Sequence, residues 1–479
     1  MKAPGDIVLV SCYELGHQPL AVAWSLAFLR KSGFTPVCLD LSVAPLNDAA
    51  ATTLARARLV AISVPMHTAL RLGVQVAKRV RGLNPRAHIC FYGLYAPLNA
   101  RYLLSSGADT VRGGEYEVAL VELAQALAEG RAPPVELTEL KRLNFIVPAR
   151  DPLPPLQRYA RLITSGEERF AGYVEATRGC LHMCRHCPIP PVYGGRFFAV
   201  PVDIVLADAR QQIAVGARHI TFGDPDFLNG PKHALAVARA LHVEYPDITF
   251  DATIKIEHIL KHRHLFPELE QLGCLFVVSA VESLSDKVLQ IFDKGHTRED
   301  VALALQIVRE AGMSLRPTFV PFTPWTTLDE YMDLCRFISD HDLEDEVDPI
   351  QLALRLLIPP GSLLLDRDEL RPFLGKIDQA ALTYRWTHPD PRMDRLYADV
   401  SALVEGESRK GEDPGTTFRG IHDLAIAAAG SELVPERAGP KQESLRRRRM
   451  APRLSESWFC CAEPNRDQLG HVGALTENV

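Results

Sequence analysis

Cys180-Leu181-His182-Met183-Cys184-Arg185-His186-Cys187 places three thiols within eight residues, directly after the strand-like run Gly172 to Ala176 and the flexible Gly179. One tight loop of this spacing aims all three sulfurs inward. Thiolates are the soft ligands that iron–sulfur clusters require, and three of them leave one iron of a cubane free of protein ligand. A structural zinc site is the alternative, and it needs His182 or His186 as a fourth ligand within a cramped loop. Both readings stay open on spacing alone.

Working outward, strand candidates follow at His219 to Phe222, Ile248 to Ala252, Phe276 to Ala280, Ser314 to Phe319 and Ile350 to Leu354. Helical stretches separate them, notably Val202 to Val215, His233 to His242, Ser285 to Phe292 and Arg298 to Ala311. Six such βα repeats over residues 171–399 predict an open, partial (β/α)6 barrel with function at the C-terminal strand ends. Upstream, residues 131–170 are rich in proline (Pro133, Pro134, Pro148, Pro152, Pro154, Pro155) and read as a connector. Residues 1–130 again alternate strand and helix, from Ile7–Ser11 to a helix from Val118, and predict a doubly wound parallel α/β sheet. Gly93 and Gly113-Gly114 fall at its strand ends, where a backbone approaches a ligand closely. Residues 400–479 lose the pattern and read as a partly ordered C-terminal tail ending in Trp458-Phe459-Cys460-Cys461-Ala462-Glu463-Pro464.

The chain's 479 residues are 47% hydrophobic and 23% charged, enough apolar material for two packed units, and the net charge of -6 offers no general attraction to nucleic acid or anionic lipid. Four arginines at 446–449 read as a solvated run. No apolar stretch reaches the roughly 18 residues of a membrane span. The ten cysteines are scattered apart from the loop and the vicinal pair, so a small-molecule enzyme of the reducing cytoplasm is expected.

The Cys-x-x-x-Cys-x-x-Cys loop after a first barrel strand resembles the radical S-adenosylmethionine (SAM) superfamily. That resemblance implies a [4Fe–4S] cluster on Cys180, Cys184 and Cys187, SAM chelating the open iron, and an electron donor such as flavodoxin or ferredoxin. It also makes Asp224 and Asp226 in Gly223-Asp224-Pro225-Asp226 candidate acceptors for the SAM amino group, and Glu282, Ser283 and Arg316 candidate contacts to its other polar groups. The two-unit layout, with Tyr173 to Cys180 and Ile350 to Arg355, looks like the branch carrying an N-terminal cobalamin-binding-like domain. Here Cys12-Tyr13-Glu14-Leu15-Gly16-His17-Gln18-Pro19 replaces the Asp-x-His-x-x-Gly fingerprint, so a corrin would lack its usual lower histidine and cobalamin is left an open expectation.

Vicinal thiols strain to bridge each other yet jointly hold a soft atom such as trivalent arsenic. The segment from Trp458 to Pro464 resembles the Cys-Cys-Ala-Glu-Pro tail family of radical SAM proteins, similar to the arsinothricin-biosynthesis type. The resemblance implies transfer of a 3-amino-3-carboxypropyl group from SAM to arsenite, with Cys460 and Cys461 in the catalytic role. Two other readings remain: a cobalamin-dependent radical methylase, and a metalloid- or redox-sensing iron–sulfur protein without catalysis.

Overall fold

A computed structural model describes residues 1–133, 137–410, 413–430 and 451–456. The N-terminal unit is a parallel sheet of β1 (Ile7–Ser11), β2 (Val37–Asp40), β3 (Leu59–Ser63), β4 (His88–Tyr92), β5 (Thr110–Gly114) and a short β6 (Thr138–Glu139), in the order β2-β1-β3-β4-β5-β6. Strands β1, β3 and β4 are almost continuously apolar because helices cover both faces of the sheet, and β5, though it carries Thr110 and Arg112, is buried throughout. The order reverses between β1 and β3, the switch point at which such sheets leave a crevice.

The connector supplies β7 (Arg161–Ile163) besides β6, and it welds the units together. Arg150 in the connector is buried and grips Asp208 on helix Val202–Ala214 through two hydrogen bonds of 2.8 and 2.9 Å, while reaching Gln18 and the Tyr173 carbonyl. The second unit begins with β8 (Glu168–Val174). A strand pair, β9 (Thr177–Gly179) and β10 (Phe197–Ala199), brackets the cysteine loop, and the parallel wall continues through β11 (His219–Phe222), β12 (Thr249–Thr253), β13 (Cys274–Glu282) and β14 (Ser314–Phe319). This is the expected curled half-barrel beside a doubly wound sheet. Its sixth position differs from the sequence reading: Pro349–Ala353 forms a 3₁₀ turn, and only the parallel bridge Phe322–Arg355 stands where a strand was expected. Pro349 lacks the N–H a strand ladder needs, and Gln351 turns inward to receive Phe319 N.

The C-terminal region is more ordered than the sequence suggested. After a hairpin of β15 (Leu374–Asp378) and β16 (Thr383–Trp386), helix Pro391–Lys410 runs through the expected boundary at 399/400, and helix Pro414–Ala429 folds back on it. Val400, Val404, Phe418, Ile421 and Ala425 join the barrel core, so a charged sequence still hides an apolar stripe. Finally β17 (Arg453–Leu454) pairs antiparallel with β7, which is itself antiparallel to β8. It therefore runs in the direction of β8, towards the mouth that carries the cysteine loop. The arginine run at 446–449 and Cys460-Cys461 lie outside the described residues.

Candidate functional site

The cysteine loop begins at Gly179, whose φ of +75° suits glycine; a side chain there would strike the Tyr193 ring at 2.7 Å and the Arg196 carbonyl. Arg178, just before it, is buried against Glu117 (2.6 Å), Glu175 (2.7 Å) and Glu115 (3.5 Å). Its guanidinium lies 5.0 Å from the Trp24 ring and 5.3 Å from that of Phe145. Three carboxylates from two units thus converge on one cation two residues before the first thiol. Burial holds the Glu115 carboxyl up at about 8, with Arg178 opposing and Glu117 and Glu175 reinforcing the rise.

Cys180, Cys184 and Cys187, none of them in a disulfide, lie at the C-terminal end of the parallel wall. Burial pushes the Cys180 thiol up to about 11. Such a loop holds its thiolates only when a cation compensates them. A buried ammonium is already there: Lys294, raised by Glu282 and by Cys184 and Cys187, sits in the Asp293-Lys294-Gly295 turn between two helices. Cys180 Sγ lies 3.7 Å from Asn229 Oδ1, which also receives Leu181 N. Asn229 Nδ2, His186 Nδ1 and both ring nitrogens of His296 are buried without partners among the described residues. Three soft thiols, a neighbouring buried cation and orphaned polar atoms fit an anionic iron–sulfur cluster with a polar ligand. His182 turns its Nε2 towards Asp226 at 3.5 Å and His186 its Nε2 to Glu282 at 3.0 Å.

The other expected site residues divide. Asp224 is buried and structural in placement: its oxygens accept from Thr177 Oγ1 (2.5 Å) and Ala176 N (2.9 Å), fixing the turn that leads into the cysteine loop. Burial raises its carboxyl to about 7, against the pull of those two donors. Asp226 faces His182 and His258 instead. Glu282 follows an irregularity in the β13–β14 ladder and adopts a φ of +69°, a left-handed conformation costing roughly 1–2 kcal/mol for a non-glycine residue. His186 Nε2 at 3.0 Å and Lys294 Nζ at 3.5 Å hold it there. Ser283 Oγ accepts from Ser285 N. Arg316 lies apart from this group, in the first half of β14, where Asp348 (2.7 Å) and the Asp345 and Pro452 carbonyls occupy its guanidinium. Lys294, Asn229, His258 and the carboxylates around Arg178 were not singled out from the sequence. The one available signal was the Asp-Lys-Gly turn after an apolar helix.

The corrin expectation meets a closed surface. At the C-terminal ends of the N-terminal sheet, Tyr13 Oη donates to Glu456 (2.6 Å) and Asp40 accepts from Tyr159 Oη (2.6 Å). His67 Nε2 contacts the Ala381 carbonyl at 2.8 Å, while Leu357 and Leu382 enter the same apolar core as Val64, Met66 and Tyr95. Gly114, with φ +66°, is approached by the Glu139 carbonyl rather than by a ligand. His17 is stacked on Tyr173 at 4.3 Å, and burial lowers it to about 4. These contacts cover part of the strand ends at which a corrin would lie.

Residues 174–338 match the Radical SAM superfamily, so the chain carries a radical SAM domain, which implies a [4Fe–4S] cluster and SAM. Two curated relatives are an uncharacterized methyltransferase of Pyrococcus horikoshii, 22% identical over 56% of this chain and 61% of its own, and a putative methylthiotransferase of Methanocaldococcus jannaschii, 23% identical over 58% and 62%. The chain thus spans about three fifths of their length. Among solved structures it resembles the radical SAM methyltransferase TsrM of Kitasatospora setae, determined with cobalamin and a [4Fe–4S] cluster (TM-score 0.64, 16% identity, 90% of this chain and 99% of that one). It also resembles the cobalamin-dependent enzyme OxsB (TM-score 0.62, 15% identity, 84% of this chain and 66% of that one). The shared fold includes both units. No helix among the described residues is long and apolar enough to cross a membrane.

Proposed function

We propose that this chain is a radical SAM transferase that moves the 3-amino-3-carboxypropyl group of SAM to arsenite held by Cys460 and Cys461. The observation that carries the radical SAM part is the tripod of cysteine thiols at the barrel mouth, backed by the buried Lys294 ammonium. When bound, the cluster supplies the electron that breaks a carbon–sulfur bond of SAM. Cys180, Cys184 and Cys187 would hold it, Lys294 would balance its negative charge, and Glu282 and Ser283 would face polar groups of SAM. Asp224 keeps the loop seated by binding Thr177 and Ala176, and the Arg178 knot fixes its first residue.

The arsenite part rests on the vicinal thiols and on the direction of the C-terminal segment. β17 runs parallel to β8, and Glu456 meets Tyr13 on the loop whose His17 stacks on Tyr173 of that strand. Cys460 follows four residues later, a span of at most about 14 Å. In the overall reaction the sulfur–carbon bond to the aminocarboxypropyl arm breaks and a carbon–arsenic bond forms. Methylthioadenosine and water leave, a flavodoxin- or ferredoxin-type donor gives two electrons, and one proton from solvent completes the departing water.

The fold of TsrM and OxsB favours a second reading, cobalamin-dependent methylation, which the closed surface around His67, Leu357 and Leu382 opposes. Anaerobic incubation with SAM, reductant and arsenite, followed by mass spectrometry, separates the two. Methylthioadenosine with an aminocarboxypropyl arsenical supports the first reading, and its loss in Cys460→Ala and Cys461→Ala assigns the thiols. A methylated product, or 5′-deoxyadenosine with no arsenical, refutes it.

A further inference from the structure

Beside the cysteine loop, three side chains from different segments turn donor atoms towards one point: His182 Nε2, Asp226 Oδ2 and His258 Nδ1, all within 4.8 Å of one another. They come from the loop itself, from the turn after β11, and from helix Ile256–Lys261 after β12. Asp226 divides its work. Its Oδ1 receives Leu228 N at 3.3 Å and Lys255 N at 3.5 Å, which fixes the carboxylate plane, while Oδ2 is left for the imidazoles.

The approach of Asp226 Oδ2 to His258 Nδ1 is 2.6 Å and to His182 Nε2 is 3.5 Å, yet no hydrogen bond of proper geometry joins them. All three atoms are buried, and among the described residues none has another hydrogen-bond partner. Asp226 and His258 are 2% and 6% exposed. An ion with bonds of 2.0–2.2 Å sets neighbouring donors roughly 3.0–3.4 Å apart; His182 Nε2 and Asp226 Oδ2 at 3.5 Å are near that spacing, and His258 Nδ1, at 2.6 Å from Asp226 Oδ2, would draw back by about half an ångström to admit the ion.

We propose that His182, Asp226 and His258 bind one divalent first-row transition ion, of the zinc or ferrous kind, separate from the iron–sulfur cluster. Two imidazoles and a carboxylate suit a borderline ion, and the absence of sulfur from the set disfavours a thiophilic metalloid. Three protein ligands leave a coordination position for water. Glu257 is the outer partner: its Oε2 lies 3.7 Å from His182 Nδ1, and Lys255 Nζ bridges the two at 3.0 Å from the ring and 2.9 Å from the carboxylate. On ion uptake the Nδ1 hydrogen turns to Glu257, and the flexible Lys255 moves onto the carboxylate alone.

The test uses the full chain with its cluster assembled anaerobically, stripped with a chelator, desalted and titrated with Zn(II). One zinc per chain is expected with the iron content unchanged, and X-ray absorption at the zinc edge should show a shell of nitrogen and oxygen only. His258→Ala and Asp226→Asn should each weaken binding at least about 100-fold, and Glu257→Gln about 10-fold, as for an outer partner. The edge measurement on the unsubstituted chain stands even where a variant fails to fold. A sulfur-containing shell, uptake well below one zinc per chain, or equal affinity in His258→Ala would overturn the proposal.

Discussion

Replacing Arg178 with methionine removes the cation at the junction of three carboxylates and leaves the apolar stem in place. The guanidinium is 5% exposed and touches Glu117, Glu175 and Glu115 at 2.6, 2.7 and 3.5 Å. Breaking a buried ion pair from one side costs about 3–5 kcal/mol, because the remaining charges stay out of water. The ring faces of Trp24 and Phe145 add about 0.5–1 kcal/mol each. For a unit of this size 1 kcal/mol shifts the melting temperature by about 2–4 °C, so the combined loss of about 4–7 kcal/mol predicts a fall of roughly 8–28 °C. The pH dependence has a fixed sign. Glu115 is raised to about 8 and Glu175 is raised too, both mainly by burial, so the folded site binds protons that the unfolded chain has released. Stability therefore falls as pH climbs from the ordinary carboxyl range to about 8. Without Arg178 these carboxyls rise further, and the gap between Arg178→Met and the unsubstituted chain should widen from pH 6 to pH 8.5. Anaerobic thermal unfolding at both pH values measures this. A shift under about 3 °C, or a gap that is constant or narrows with pH, refutes the reasoning.

Replacing Cys180, Cys184 and Cys187 together with alanine should abolish the visible absorbance of the anaerobically reconstituted chain; retention of that absorbance would place the cluster elsewhere. Asp224→Asn turns an amide hydrogen towards Thr177 or Ala176 and should cost about 1–3 kcal/mol at pH 5. Because the Asp224 carboxyl is raised to about 7, the unsubstituted chain loses stability between pH 4 and 7 while the amide does not, so denaturation curves at pH 5 and 7.5 should converge. Incubation with hydroxocobalamin should leave no corrin absorbance after desalting and no change in melting temperature, since Leu357, Leu382 and Ala381 cover the strand ends; stoichiometric retention would show that this surface opens.

The two α/β units were legible because strand–helix alternation is local and needs no partner to be read. The apolar stripe of helix Pro391–Lys410 was not, since four buried positions among charged neighbours look like a tail until the barrel core receives them. The strand expected at Ile350–Leu354 was a misreading of the same kind: the apolar run is buried, but as a turn shaped by Pro349 and the inward Gln351.

By itself the sequence determined which atoms are available, three thiols in one loop and two in the tail, because ligand chemistry is set by residue type and short-range spacing. Only the tertiary structure decided where the charges meet. It set Asp224 to holding a turn, Arg316 to Asp348, Asp226 to two histidines and Lys294 to the cysteine loop, since these residues come from segments far apart in the chain. Whether a buried carboxylate is a ligand or a brace depends on the partner that long-range packing brings within 3 Å, and no periodicity encodes that.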